Sequence, residues 1–380
     1  MASRVHALAR LPEEWARVLE AHGERAFRGR QIFRWIHARR VLDPQMMTDL
    51  AKPLREWLQQ EELALPARVV DVRRAGDGTR KLVLELSDGA RVECVLIPMT
   101  SESDEDTGDD DVQPDPGAPQ RVTLCVSTQY GCAMACSFCA SGRRGLVRGL
   151  ASEEVVAQLM LARDYLEPGE VLQNIVFMGM GEPLQHYDRT ARVLRLWSHE
   201  LGTDLSLRRI TVSTVGLVPG IRRLGEDFGG KVGLAISLHA PDDATRGRIV
   251  PINRQYPVQA LMEALRAYPL PTRRRITIEY TLIRGINDSP TQARDLVRLL
   301  AGLRVKINLI PMNPVAGSEH VGASPEGVEA FREVLAAAGL SCFVRTRRGD
   351  DVAAACGQLA LHGATAQNGR SALLPSQRIS

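Results

Sequence analysis

The sequence predicts an α/β protein: an open or partial (β/α)6 barrel with an N-terminal helical domain and a small β-hairpin extension. Three observations carry that expectation. From Arg121 onward, strand-like and helix-like segments alternate six times, which is how repeated βα units and a parallel sheet read. Residues 65–99 change to a period of two, the pattern of half-buried strands. The first sixty or so residues read as amphipathic helix. Six βα units suit an open barrel better than a closed eightfold one.

The elements follow in order. In "ERAFRGRQIFRWIHARR", residues 24–40, the apolar set is Phe27, Ile32, Phe33, Trp35 and Ile36. It is interleaved with Arg25, Arg28, Arg30, Arg34, Arg39 and Arg40. The apolar set can face neighbouring helices and the arginines solvent. Basic plus aromatic residues suit RNA, and they equally suit an ordinary solvated helix. Residues 1–62 are assigned to this helical accessory domain. Residues 63–99 form the small β subdomain, where "RKLVLELSDGARVECVLIP" reads as strand, turn at Ser87, Asp88 and Gly89, and strand. "SESDEDTGDDDVQPDP", residues 101–116, has eight acidic residues and no basic one. With its Pro and Gly it predicts a disordered insert or linker over 100–120.

The core, residues 121–347, has strand candidates "RVTLCVST", "NIVFMG", "RRITVST", "KVGLAISL", "RITIEYTLI" and "RVKINLIP". Helix candidates are 152–165, 187–198, 217–224, 257–266, 290–300 and 325–338. Active residues belong in the loops after the strands. A C-terminal segment, 348–370, carries Cys356, and 371–380 is a tail.

Composition narrows the class. The hydrophobic share of 44% and charged share of 24% are ordinary for a globular chain. No run of about eighteen uncharged apolar residues predicts a membrane span, and residues 1–15 lack the apolar block of a secretory signal. Seven cysteines, an odd number in a long chain, argue against a disulfide scaffold and for a reducing cytoplasmic setting. Net charge is +3; without the eight acidic residues of 101–116 the remainder is +11. An acidic partner such as RNA fits that remainder.

Three cysteines, Cys132, Cys136 and Cys139, crowd into "CAMACSFC" with the spacing C-x3-C-x2-C. Clustered thiolates are soft ligands for zinc or iron–sulfur. Structural zinc wants four ligands, so a zinc site needs Cys125 or a histidine to complete it. A four-iron cluster held by three thiolates leaves one iron open for a cofactor or substrate. The spacing, just after the first strand of a βα domain, is the radical S-adenosylmethionine (SAM) signature.

Longer motifs go further. "FRGRQIFRWIHAR", "VECVLIP", "TLCVSTQYGCAMACSFCASG", "NIVFMGMGEPL", "ITVSTVG", "LAISLHAP", "LIPMNP" and "RTRRGDDVAAACGQL" occur in this order. With them the chain resembles the RlmN/Cfr family of radical-SAM RNA methyltransferases, most closely the RlmN branch. The acidic insert is the main departure and lies outside every motif. The resemblance implies a radical-SAM partial barrel and one [4Fe-4S] cluster on Cys132, Cys136 and Cys139, with SAM at the open iron. It implies SAM contacts from Gly181, Glu182, Ser213, Ser237, Leu238, His239 and Asn313. Cys356 would be methylated and carry its methyl carbon to adenine, Glu93 would accept a proton, and Cys125 would release the product by forming a disulfide with Cys356. Taken alone, Glu93 reads as an exposed strand residue, His239 as a structural histidine, and Cys125 and Cys356 as small buried hydrophobes. Cys94 and Cys342 match no family role and read as packing residues.

The implied substrates are 23S rRNA and tRNA, with adenine carbon 2 as target. The electron donor would resemble flavodoxin or ferredoxin, and a monomer without membrane association is expected. Two alternatives stay open on sequence: the Cfr-type reaction at carbon 8, and a non-catalytic zinc RNA-binding module. Arg143, Arg144 and Arg148 follow the cysteine loop and read either as phosphate contacts or as surface charge.

Overall fold

Proline and a capping carboxylate start the first helix, α1 (Pro12–Ala21), where the Leu11 N–H donates to Glu14 Oε2 at 2.8 Å. The structure, a computed structural model, describes residues 5–61, 63–99, 119–315, 317–345, 348–354 and 357–359. The acidic run, Cys356 and the tail lie outside the described residues. Helix α2 (Arg28–His37) buries Ile32, Phe33 and Ile36 completely. It crosses α1 closely because residue 29 is glycine: a Cβ there would lie 2.7 Å from Ala16 N. Phe27 departs from expectation. It is 48% exposed, with the Arg28 guanidinium 4.8 Å above its ring, and takes no part in the packing face. After α3 (Lys52–Leu58), the helical region is tied to the core by Arg192, which donates to Ala9 O at 2.9 Å and to Glu14 Oε2 at 2.6 Å.

Strands β1 (Ala67–Arg74), β2 (Arg80–Leu86) and β3 (Arg91–Pro98) make an antiparallel meander. Gly89, at φ +78°, supplies the left-handed residue of the β2–β3 turn. The meander joins the core sheet, because β3 pairs antiparallel with β4 (Gln120–Cys125). A two-stranded ribbon, β5 (Gln129–Gly131) and β6 (Leu146–Gly149), encloses the short helix α4 (Ala140–Arg144). Then come α5 (Ser152–Ala162), β7 (Glu170–Phe177), α6 (Tyr187–Ser198), β8 (Ile210–Thr214), α7 (Val218–Phe228) and β9 (Gly233–Ser237). They are followed by α8 (Asp243–Ile249), α9 (Val258–Arg266), β10 (Ile276–Leu282), α10 (Pro290–Leu300), β11 (Val305–Pro311), α11 (Pro325–Ala337) and β12 (Cys342–Val344).

All six predicted core strands and all six predicted core helices are present. Helix α7 runs past its expected end to Phe228, where Gly229 at φ +56° caps it. The β5–β6 ribbon with α4, α8 and β12 were not expected. Sheet order is β1-β2-β3-β4-β7-β8-β9-β10-β11-β12, parallel from β4 onward. Among the described residues β1 and β12 do not pair, so the sheet is open.

Register sorts the sheet's two faces, because directly opposed residues project to the same side. Leu82, Cys94, Leu124, Ile175, Ile210, Leu234, Ile278 and Ile307 belong to one face, nearly all fully buried among the helices. The opposite face runs through Lys81, Val95, Cys125, Val176 and Thr211, and across Ser213, Ala235, Thr277 and Lys306. Glu93 is two residues from Val95 and Ser237 two from Ala235, so both share this polar inner face.

Candidate active site

Four expected residues, Glu93, Cys125, Ser213 and Ser237, share that face, and the rest of the described candidates cluster in the loops beyond its strand ends. Cys132 follows β5, Cys136 stands in the loop, and Cys139 caps the N-terminus of α4. The loop is held on several sides. Cys132 N–H donates to Gly145 O at 3.1 Å and Ser137 N–H to Ile249 O at 3.0 Å. Gly142 lets α4 approach: a Cβ there would meet Cys136 N at 2.9 Å. Cys132, Cys136 and Ala140 sit in an apolar shell with Met134, Ile249, Ile283 and Met312.

Burial pushes the Cys132 thiol up to about 12, with Cys139 and Glu182 adding to it against a backbone hydrogen bond from Met134. Cys136 is raised well above its ordinary value, first by burial and then by Cys139 and Cys132. Cys139 is raised too, by burial. The three thiols therefore sense one another. Among the described residues no three His, Cys, Asp or Glu side chains gather as single-ion ligands do. Three soft donors in an apolar shell, with the charges of a buried carboxyl and a buried guanidinium felt among them, suit a soft, thiolate-held group such as an iron–sulfur cluster.

Glu182 follows β7 with both carboxylate oxygens engaged. Oε1 accepts from Leu184 N–H at 3.0 Å and Oε2 from Val215 N–H at 2.9 Å. Burial nevertheless lifts its carboxyl to about 7, outweighing the Val215, Leu184 and Thr214 hydrogen bonds. Gly181 before it takes φ +107°, and a Cβ there would strike the Gln129 side chain at 2.6 Å, so this turn demands glycine. Ser213 lies in β8, Ser237 ends β9, and Leu238 is fully buried. Asn313, 6% exposed, follows β11.

His239 holds φ +58°, a strained conformation for a non-glycine residue. Its Nδ1 accepts from Thr281 N–H at 3.0 Å, and Phe138 of the cysteine loop meets the ring edge-on at 4.7 Å. Burial, helped by Arg246, drops its pKa to about 3, so the ring is neutral with its proton on Nε2.

Sequence reasoning missed the residues that hold these pieces together. Arg246 of α8 is fully buried. It donates to Leu238 O at 3.0 Å, to Val215 O at 2.5 Å and to Asn253 Oδ1 at 2.8 Å, joining the ends of β8 and β9. Burial lowers its pKa to about 10, and its charge is felt at Cys136 and His239. Ser127 donates to Glu93 O at 2.6 Å and accepts from Met180 N–H at 2.9 Å, joining β3 to the turn before Glu182. Gln158 brackets Ser127 with two backbone hydrogen bonds at 2.8 Å. In the sequence these are an arginine, a serine and a glutamine with no distinguishing spacing.

Glu93 is buried in β3 against Lys81 Nζ at 3.1 Å, and Cys125, 6% exposed, ends β4. Cys356 lies outside the described residues, but Ala353 before it and Gly357 after it are placed. Lys81 Nζ donates to Ala353 O at 3.0 Å, and Ala140 N–H, next to Cys139, donates to Gly357 O at 2.8 Å. Cys94 is fully buried, as a packing residue should be, and Cys342 half-buried. Arg148 donates to Glu154, bidentate at 2.8 Å, and to Asp88 at 2.8 Å. Arg143 and Arg144 remain exposed.

Comparison with known proteins agrees with this geometry. Residues 126–297 match the radical SAM superfamily, and residues 12–63 match the ribosomal RNA large subunit methyltransferase N-terminal domain. The chain is 57% identical over 375 residues to the dual-specificity RNA methyltransferase RlmN of Sorangium cellulosum, covering 95% of this chain and 96% of that one. It is 44% identical over 363 residues to the probable dual-specificity RNA methyltransferase RlmN of Moorella thermoacetica, covering 94% and 98%. A crystal structure of a radical SAM methyltransferase from Sphaerobacter thermophilus superposes with a TM-score of 0.83 at 42% identity, covering 94% of this chain and all of that one. No helix among the described residues is long and apolar enough to cross a membrane.

Proposed function

Because the chain belongs to the RlmN family of radical-SAM RNA methyltransferases, we propose that it methylates carbon 2 of adenine in 23S rRNA and in tRNA. One observation carries the reading. The cysteine loop, the Glu182 turn and the ends of β8 and β9 meet at one end of a sheet face that also bears Glu93 and Cys125. When bound, the cluster and SAM supply one-electron bond cleavage and the methyl groups.

The chain's residues do the rest. Cys132, Cys136 and Cys139 hold the cluster. Gly181, Glu182, Ser213, Ser237, Leu238, His239 and Asn313 line the SAM site, where the glycine turn allows close backbone approach and Glu182 offers a buried carboxyl. The apolar shell keeps water from the reacting centre. Cys356 supplies a thiolate nucleophile that carries the methyl carbon to adenine. Glu93 accepts the carbon-2 proton, and Cys125 forms a sulfur–sulfur bond to Cys356 as the sulfur–carbon bond breaks, its electron pair leaving on the methylene carbon, which takes a proton and becomes the methyl group. The relatives' dual-specificity name supports the inclusion of tRNA. A flavodoxin- or ferredoxin-like donor and a cytoplasmic setting suit this chemistry.

Nucleoside mass spectrometry tests the proposal. The chain is expressed in a bacterial strain lacking its own enzyme, and rRNA and tRNA are digested separately. The expected product is 2-methyladenosine in both. 8-Methyladenosine instead would establish the carbon-8 reaction, and neither product from a SAM-cleaving protein would overturn the substrate assignment.

A further inference from the structure

Lysine is among the residues least often buried, and a buried lysine needs partners to offset its desolvation. Lys81 is such a residue. It stands on β2 opposite Val95, which makes it the diagonal cross-strand neighbour of Glu93. The two side chains are 3% and 4% exposed, with Nζ 3.1 Å from Glu93 Oε1. Nζ also donates to Ala353 O at 3.0 Å.

That carbonyl belongs to a turn pinned to the meander on its other side. Gly349 N–H donates to Asp77 Oδ2 at 2.9 Å, and Gly76 N–H donates to Asp351 Oδ2 at 3.1 Å. Arg348 donates to Pro98 O. Within the turn, Ala354 N–H donates to Gly349 O at 2.8 Å. One ammonium group therefore joins the Glu93 carboxylate to the segment that leads, three residues after Ala353, into Cys356.

A buried ion pair is a poor device for stability, since well-packed apolar residues of similar volume serve as well or better. This one stands on the sheet face that carries Cys125. We propose that Lys81 is a positioning residue for proton removal: it fixes the orientation of the Glu93 carboxylate and holds residues 348–354 against it. This rests on the reading of Glu93 as the proton acceptor. The carbon-2 proton of the RNA–enzyme adduct passes to the Glu93 carboxylate, and no bond to Lys81 forms or breaks. Without Lys81 the adduct forms but is slow to lose that proton.

The experiment measures partition. Cluster-loaded wild type, K81M, K81R, E93Q and C125A are given the chain's own large-subunit rRNA and tRNA. Three quantities are read: 5′-deoxyadenosine, methylated adenine, and covalent RNA–protein adduct on a denaturing gel. K81M is expected to cleave SAM, to lose methylated product at least tenfold, and to accumulate adduct as E93Q does. K81R is expected to recover part of the product. A general loss of structure would lower adduct and product together, so the adduct-to-product ratio separates positioning from folding. The proposal falls if K81M makes product at the wild-type rate. It also falls if K81M lacks adduct while E93Q retains it. If K81M does not fold, K81R carries the same ratio, and an unchanged ratio there overturns the proposal. If neither E93Q nor C125A yields adduct, the mechanistic reading has failed, and the Lys81 proposal with it.

Discussion

Replacing Glu182 with glutamine isolates the cost of an ionised carboxyl at the centre of the site. Burial lifts this carboxyl from 4.5 to about 7. Below pH 4.5 both folded and unfolded chains hold the proton, and the group costs nothing. As pH rises from 4.5 through 7 the unfolded chain ionises first, so stability is lost. Above 7 both states are ionised and the loss is constant. At about 1.4 kcal/mol per pKa unit the full loss is about 3.5 kcal/mol, of which about 2.5 kcal/mol falls between pH 5 and pH 8. Glutamine cannot ionise. It keeps one acceptor oxygen, so one of the Leu184 and Val215 N–H groups is stranded, at about 1–3 kcal/mol independent of pH. Urea unfolding of the protein freed of cluster and SAM, at pH 5, 6, 7 and 8, gives the stability of E182Q relative to wild type. That difference should move in favour of E182Q by about 2.5 kcal/mol across the range. Taking the difference cancels every other titrating group, and the neighbouring Cys132 thiol, raised to about 12, stays protonated throughout. A difference that stays flat with pH would refute burial as the dominant influence on Glu182.

Ser127→Ala should destabilise the fold by about 2–4 kcal/mol, because it strands Glu93 O and Met180 N–H together in the interior. Urea unfolding checks this, and a change under about 0.5 kcal/mol would mean that those groups find other partners. Cys125→Ala should trap RNA covalently on the enzyme, whereas Cys356→Ala should form neither adduct nor methylated adenine. Denaturing gels and nucleoside analysis read both; free product from Cys125→Ala would remove Cys125 from the mechanism.

Most of the fold was legible because its signals are local. The core strands read as mostly apolar runs, and "ITVST" and "ITIEYT" already show the inner face as polar residues alternating with apolar ones. The cysteine loop and the glycine turn before Glu182 were legible for the same reason, since spacing and special backbone conformation are written in consecutive residues. The β5–β6 ribbon and α8 were missed because they are short and their order comes from what they touch. Phe27 was misplaced for a related reason. Helical periodicity assigns a face, but Phe27 precedes the first turn of α2 and is not carried round with it.

Arg246 was out of reach of sequence altogether. "DDATRGRIV" offers two arginines of equal standing, Arg246 and Arg248. Only the return of α8 against β8 and β9 buries the first and gives it three acceptors. Lys81 is different, because its partner could have been named. A turn centred on Asp88 sets Lys81 opposite Val95 and so diagonal to Glu93, and period-two alternation puts both on one face. What the hairpin alone could not say is that this face is covered. The side chains read as an exposed cross-strand pair worth a few tenths of a kcal/mol. They become a buried ion pair because β3 continues into the core sheet through β4 and residues 348–354 close over the meander. The chain thus places a buried charge pair where two distant segments meet, and Glu93 gains its fixed orientation from the assembly of the site itself.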